Sequence, residues 1–267
     1  MENQIENYNK ERNKNTKLTI EEETEYQITN EMLKDATVVN SLLGSKFVLD
    51  NIKKDKEHIT KYSTFIRSNF GSYLGKSKIT KIYYDTEDMF FHSVGINICE
   101  SSKKGDKFKK IVVRYDSKVE RITYLKFLPD TYELKVKANT PIYKHFNFIE
   151  SAILQLITNG LQTNVKKLLE ETRPLIIVTK DRESYKFNLP SKLNLFFNFD
   201  KCVYTTPRNN DKYREDILET IAENKPEEFE EAYNQFVKDL ILDLPTLVKT
   251  KDSDLFIGLD FLLDIRE

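Results

Sequence analysis

Residues 132–137 of this chain read Tyr-Glu-Leu-Lys-Val-Lys, and the alternation is strict. Successive side chains of a strand point to opposite faces. Glu133, Lys135 and Lys137 therefore share one face, and Tyr132, Leu134 and Val136 share the other. A strand over Phe108–Tyr115 repeats the pattern, with Lys110, Val112 and Arg114 on one face. A one-residue slip would exchange the two faces, so such segments tolerate few registers. Two arrangements satisfy them. Either the charged faces are the wet outside of ordinary amphipathic strands, or they line a charged, water-filled interior, which small barrels usually lack.

These segments belong to a longer run of short strands with polar turns. Lys78–Tyr84, Gly95–Glu100, Phe108–Tyr115, Ile122–Leu128 and Tyr132–Lys137 read as strands, and Lys103–Lys107 (KKGDK) reads as a turn. That spacing predicts an antiparallel meander or barrel. Further strands are expected at Ser45–Asp50, Leu175–Thr179, Ser184–Phe187 and Leu193–Phe199. Helical spacing covers Asn30–Leu43, Asn51–Phe70 and Phe146–Glu171, the last divided near Gly160, and a final helix starts near Pro226. Asp211–Asn224 fits a strand or a helix. Leu255–Leu263 is an apolar stretch that should pack onto the same body. The expected class is α+β, with one domain over residues 31–267. Met1–Asn30 is polar and reads as a flexible extension. Within it Glu21, Glu23 and Glu25 alternate, as a solvated acidic lead-in or a strand with an acidic face.

Composition narrows the function. Lys and Arg number 42 and Asp and Glu number 43, for a net charge of -1. A global electrostatic attraction to nucleic acid is missing, so nucleic acid is not an expected partner, although a local basic surface is compatible with this total. No apolar run approaches the ~20 residues of a membrane helix. No secretory leader is visible, and a cytoplasmic location is expected. Cys99 and Cys202 are the only cysteines, which excludes a disulfide framework and a four-cysteine zinc site. Cys99 reads as a small buried hydrophobe. His58, His92 and His145 lack metal-ligand spacing. No phosphate loop, dinucleotide fingerprint or nucleophile motif is present. Asp85 and Asp88 follow a strand, where Asp bonds the backbone of a turn. Lys53, Lys54 and Lys56 read as a solvated helix face.

The segment Ile82-Tyr83-Tyr84-Asp85-Thr86-Glu87-Asp88 resembles the YFDT-x-D signature of the triphosphate tunnel superfamily, which includes CYTH domains and the polyphosphate polymerase domain of the vacuolar transporter chaperone. The resemblance continues in order along residues 40 to 225. Lys46-Phe47 is similar to the E-x-K-[FY] strand, Val112-Val113-Arg114-Tyr115 to R-x-R-x-Y, and Glu133-Leu134-Lys135 to E-x-K. Pro174–Tyr185 is similar to P-x5-Y-x-R-x-x-[YF], with Lys180 at its first tyrosine. Asp200 matches the last position of R-x-T-x-D, and Leu218-Glu219-Thr220 is similar to L-E-x-K.

The resemblance implies a closed antiparallel β-barrel with flanking helices. It implies a triphosphate-containing small molecule or polyphosphate as ligand, and Mg or Mn as cofactor. It further implies hydrolysis of a triphosphate, cyclisation of a nucleotide or polymerisation of phosphate. Lys46, Arg114, Lys135 and Arg182 would contact phosphates, joined by Lys110 and Lys137 on the same strand faces. Arg114, Lys135 and Arg182 would be catalytic, and Glu133 and Glu219 would be metal ligands. Several positions depart from the pattern: Leu42 and Gly44 stand where the family has acidic residues, Val112 where it has arginine, and Ile221 where it often has lysine. These departures motivate an alternative, a degenerate tunnel domain that senses, sequesters or presents a phosphate chain without turnover. A third reading is an unrelated α+β interaction protein with wet strand faces.

Overall fold

A computed structural model describes residues 33–39, 44–67, 72–115, 131–156, 164–188, 193–207, 212–222, 226–250 and 254–262. The expected extension Met1–Asn30, the expected strand Ile122–Leu128 and Gly160 lie outside the described residues. Ten strands form one sheet. They are β1 (Thr37–Val39), β2 (Gly44–Val48), β3 (Ser72–Asp85), β4 (Ile96–Lys103), β5 (Phe108–Tyr115), β6 (Thr131–Lys137), β7 (Arg173–Asn188), β8 (Asn194–Thr205), β9 (Lys212–Ala222) and β10 (Val248–Thr250). Their order is β1-β6-β5-β4-β3-β7-β8-β9-β2-β10, and every neighbouring pair is antiparallel. The α+β class holds. The closed cylinder does not follow from these ladders: β1 and β10 are the edges of the sheet among the described residues.

Three local expectations change. Thr37–Val39 falls inside the expected first helix but is β1, paired with β6 through Thr37 and Glu133. Two consecutive valines after a threonine suit a pleated surface better than a helix. The expected strands at 175–179 and 184–187 are one sixteen-residue strand, β7. Its polar middle, Lys180–Glu183, reads as a break, yet it continues because its charges find partners across the sheet. Asp211–Asn224, open between two forms, is strand β9 over Lys212–Ala222.

Helices cover one face of this sheet. Helix α1 (Ile52–Arg67) precedes β3, and α2 (Phe90–Ser93) links β3 to β4. Helices α3 (Phe146–Leu156) and α4 (Val165–Glu170) pack on Ile98, Ile111, Val113, Tyr132 and Val136. Helix α5 (Pro226–Asp243) buries Tyr233, Phe236 and Leu240 against Phe47, Phe187, Phe197 and Leu218. A fully buried side chain of this size contributes ~1.5–3 kcal/mol, so these two clusters carry much of the fold. The last described element, α6 (Asp254–Leu262), packs Leu255, Ile257 and Leu259 against Tyr83, Ile176, Val178 and Tyr204, which alternate onto the opposite face. It approaches closely: a Cβ on Gly258 would lie 2.6 Å from Ile176 Cδ1.

The YYDT element ends β3 and shapes the turn after it. The buried Asp85 carboxylate accepts the backbone N–H groups of Thr86 (2.7 Å), Phe91 (3.0 Å) and His92 (2.9 Å). Asp88 accepts the Thr86 hydroxyl at 2.6 Å. Both aspartates thus have the turn-forming role that their position after a strand predicts.

Candidate functional site

Ladder register decides which side chains share a face. Arg182 on β7 stands opposite Asp200 on β8, and Asn198 opposite Glu219 on β9. Glu219 in turn stands opposite Lys46 on β2. On the other side of β7, Val178 faces Lys81 on β3, which faces Ser101 on β4, then Lys110 on β5 and Lys135 on β6. Paired positions point the same way in antiparallel strands. Lys46, Lys110, Arg114, Glu133, Lys135, Lys137, Arg182 and Glu219 therefore all lie on the face that α6 partly covers.

Not all of them meet. The buried part of this face is a network built around Asp254, the first residue of α6. Its carboxylate receives three ammonium groups: Lys81 Nζ at 2.7 Å, Lys180 Nζ at 2.8 Å and Lys46 Nζ at 3.1 Å. Lys180 also lies 3.4 Å from Asp200. Arg182 donates through Nε and Nη2 to the two oxygens of Asp200, each at 2.7 Å, and through Nη2 to Glu219 Oε2 at 2.7 Å. Asn198 Nδ2 adds a longer bond of 3.4 Å to Glu219. The side chains of Lys180, Asp200 and Asp254 are at most 1% exposed. Four ladder steps separate β2 from β3, about 19 Å across a flat sheet. Lys46 and Lys81 nevertheless reach one carboxylate, so the sheet bends around it.

Burial alone would push a carboxyl up, but here neighbouring charge wins. Lys180, Lys46 and Lys81 hold Asp254 well below the usual carboxylate range. Lys46, Arg182, Lys180 and Lys81 bring Glu219 down from 4.5 to about 2. Burial would lower Lys81 and Lys180, yet Asp254 raises both. All these groups are charged at neutral pH. Four cations face three carboxylates, an excess of one positive charge, and Asp254 sits where an anion would bridge three lysines.

The other part of the face is open. Lys110 Nζ lies 2.6 Å from Glu133, but the Lys110 side chain is 56% exposed. Lys135 and Lys137 are exposed. Lys135 sits over the Phe108 ring at 4.8 Å, a cation–π contact. Arg114 Nε donates to the Thr131 hydroxyl at 3.3 Å. Its charge is felt by Tyr83 beneath α6, although burial dominates the rise in that phenol's pKa. Arg114 thus stands between the two parts.

Sequence reasoning missed Lys81, Lys180 and Asp254 as site residues. Lys81 had a signal, because it alternates with Tyr83 and Ile79 on the strand that carries the YYDT element. Lys180 lies two residues before Arg182 and had the same signal. Asp254 had none, since it precedes an apolar stretch with nothing local to mark it. Cys99 and Cys202 also face this side, but burial raises each thiol to about 12, so both act as hydrophobes.

Among the described residues no group of three or more His, Cys, Asp and Glu is arranged to hold a metal ion. Glu133 and Glu219 lie on β6 and β9, six ladder steps apart along the sheet. A magnesium site commonly takes one or two carboxylates and completes itself with substrate phosphates and water. Glu219 fits that single-carboxylate role: it is ionised, partly exposed and beside Lys46 and Arg182. Asp200 and Asp254 do not fit it, because both oxygens of each are engaged by lysine or arginine.

No family profile and no curated protein matches this chain. Solved structures do. It is similar to the PH1819 protein of Pyrococcus horikoshii at 14% identity and a TM-score of 0.45, over 85% of this chain and 100% of that one. It is similar to HpAC1 of Hippeastrum, a protein with a dominant triphosphatase activity, at 10% identity and a TM-score of 0.46, over 82% and 95% of the two chains. It is also similar to the Mimivirus capping enzyme triphosphatase, at 10% identity and a TM-score of 0.34, over 86% and 100%.

Proposed function

We propose that this chain binds the phosphate chain of a nucleoside triphosphate, inorganic triphosphate or polyphosphate on the charged face of its sheet. The observation that carries the reading is the convergence of Lys46, Lys81, Lys180 and Arg182, from three strands, on a buried face with carboxylates between them. Buried ammonium and guanidinium groups bind phosphate strongly, because a charge-assisted bond in a poorly solvated site is weakly screened. The three lysines that meet at Asp254 form a seat for one phosphoryl group. Arg182 offers a planar fork to the next, and Arg114, Lys110, Lys135 and Lys137 continue the cationic track toward solvent.

Asp254 sets the terms of binding. An incoming phosphate has to displace its carboxylate or share the lysines with it. A triphosphate carries several negative charges against one, so exchange is favourable where a monoanion would fail. A divalent cation, Mg or Mn by the resemblance, would be held by Glu219 together with the ligand's own oxygens, and would neutralise phosphate charge. Positioning and electrostatic stabilisation are the main demands of phosphoryl transfer. Lys180, held rigid by Asp200, and Arg182 would meet them by stabilising charge on the transferring group. Hydrolysis is the simplest reaction such a face supports. The same reading takes residues 31–267 as one cytoplasmic domain.

A second reading is favoured by a specific observation: Lys46, Lys81, Lys180 and Arg182 are each already matched by a carboxylate. A face this well satisfied suits a binder that holds a phosphate chain without turning it over. The deciding experiment measures phosphate release from tripolyphosphate and ATP with Mg or Mn, beside calorimetric binding. Turnover lost in Arg182→Ala and Arg114→Ala supports the enzyme. Binding without turnover supports the second reading, and no binding to any phosphate chain removes both.

A further inference from the structure

The strands that carry the charged face also carry a basic groove on their opposite side. Alternation puts Arg182 and Ser184 of β7 on one face and Asp181 and Glu183 on the other. Over Asp181 and Glu183 lies a cavity of about 580 Å³, within the ~300–1,000 Å³ of ligand sites. The first turn of α1 forms one wall, and Ile52 and Phe199 contribute an apolar floor.

Five lysines line this groove: Lys53 and Lys56 from α1, Lys76 and Lys78 from β3, and Lys201 from β8. Arg182 lines it too, and with only two carboxylates, Asp181 and Glu183, beside them the lining carries an excess of four positive charges in a chain whose net charge is -1. Glu183 holds Lys56 at 2.7 Å and Lys76 at 3.0 Å, which fixes two ammonium groups in the wall. Lys78 lies 3.8 Å from Asp181, a loose pairing. Lys201 stands opposite Asp216 of β9, outside the groove lining, and its charge is felt there.

The register gives the spacing. Lys78, Asp181 and Lys201 stand in one ladder row across β3, β7 and β8. Their outer members are about 10 Å apart at the backbone. Lys76 lies two residues along β3 from Lys78, about 7 Å away. Cations set this far apart exceed the reach of a single phosphate and match a linear chain of several. The N-terminal peptide groups of the sixteen-residue α1 add partial positive charge at the same wall.

We propose that this groove is a second, independent site for an oligophosphate, supplied as inorganic polyphosphate or as the phosphate chain of a nucleotide. It takes the chain lengthwise between Lys53, Lys78 and Lys201, and it leaves the charged face on the other side of the sheet free to act separately.

The test is metal-free calorimetric titration of the full chain with tripolyphosphate, ATP and orthophosphate. The variants are the double reversal Lys78→Glu with Lys201→Glu, and, separately, Lys81→Ala, which belongs to the Asp254 network and does not line the groove. Circular dichroism and the melting temperature confirm that both variants fold. The double reversal should remove one equivalent of tripolyphosphate or weaken it by about tenfold or more, while Lys81→Ala leaves that equivalent in place. Affinity should fall steeply with added salt, since these charges are solvent-facing. Tripolyphosphate binding unchanged by the double reversal overturns the second site, and orthophosphate binding as tightly as tripolyphosphate overturns the lengthwise mode. ATP binding at this equivalent as well as tripolyphosphate identifies a nucleotide source, and weaker ATP binding an inorganic one. Failure of the charged face registers differently, as a Lys81→Ala titration identical to the unsubstituted chain.

Discussion

Lys180 and Lys110 look alike in outline. Both are lysines on the same face of one sheet, and each has an ammonium within 2.8 Å of a carboxylate. They differ in where the pair sits. Lys180 and Asp254 are each 1% exposed, whereas the Lys110 side chain is 56% exposed. Distance alone therefore ranks them wrongly. Breaking a buried pair strands a charge that water cannot reach, while breaking an exposed one hands both charges back to solvent. The face is one surface geometrically and two energetically: a rigid, satisfied interior beside a loose, wet margin.

The largest break in that comparison comes from Asp200→Ala. It leaves Arg182 and Lys180 buried without their shared partner and should cost about 3–5 kcal/mol in urea unfolding. A loss below about 1 kcal/mol would mean that the interior behaves like the margin. Next is Asp254→Asn, which keeps the shape of α6 but frees three lysines. Stability should fall by about 3 kcal/mol. Tripolyphosphate affinity should rise about tenfold, the effect of ~1.4 kcal/mol. Unchanged or weaker binding would show that the carboxylate does not compete with phosphate.

Acid sharpens the same contrast. The folded Glu219 titrates at about 2 instead of 4.5, so its contribution is fully present above pH 4.5. It is lost as pH falls toward 2, and it amounts to about 3 kcal/mol. Unfolding free energy measured between pH 5 and 2 should drop by more in the unsubstituted chain than in Glu219→Gln; equal slopes would remove the interior network as the cause. Gly258→Ala is smaller, at about 1–3 kcal/mol, because its new methyl must push Ile176 aside. It should lift α6 and raise tripolyphosphate affinity in the same direction as Asp254→Asn. The smallest effect belongs to the margin: Glu133→Gln should change stability by less than about 1 kcal/mol.

Much of the sheet was legible because its information is local. Alternation in 132–137 and 108–115 marked both strands and their charged faces, and the register puts those faces on one side. The Asp after β3 announced its turn. Elements whose identity depends on distant partners were harder. Thr37–Val39 reads as helix until β6 is beside it, and Lys180–Glu183 reads as a gap in β7 until Asp200 and Asp254 are there to receive its charges. The site divided along the same line. Arg182 and Glu219 could be named from motif spacing, but no pattern in the chain says that Asp254 returns to meet Lys46, 208 residues earlier.

That return has a consequence for how the molecule is made. On the ribosome, β2, β3 and β7 emerge long before residue 254, carrying three ammonium groups intended for one late carboxylate. Until it arrives Asp200 and Glu219 are the carboxylates available to those lysines and to Arg182, and the face keeps a larger excess of positive charge, which discourages its early collapse. The charge balance of the interior is completed only when α6 has been made.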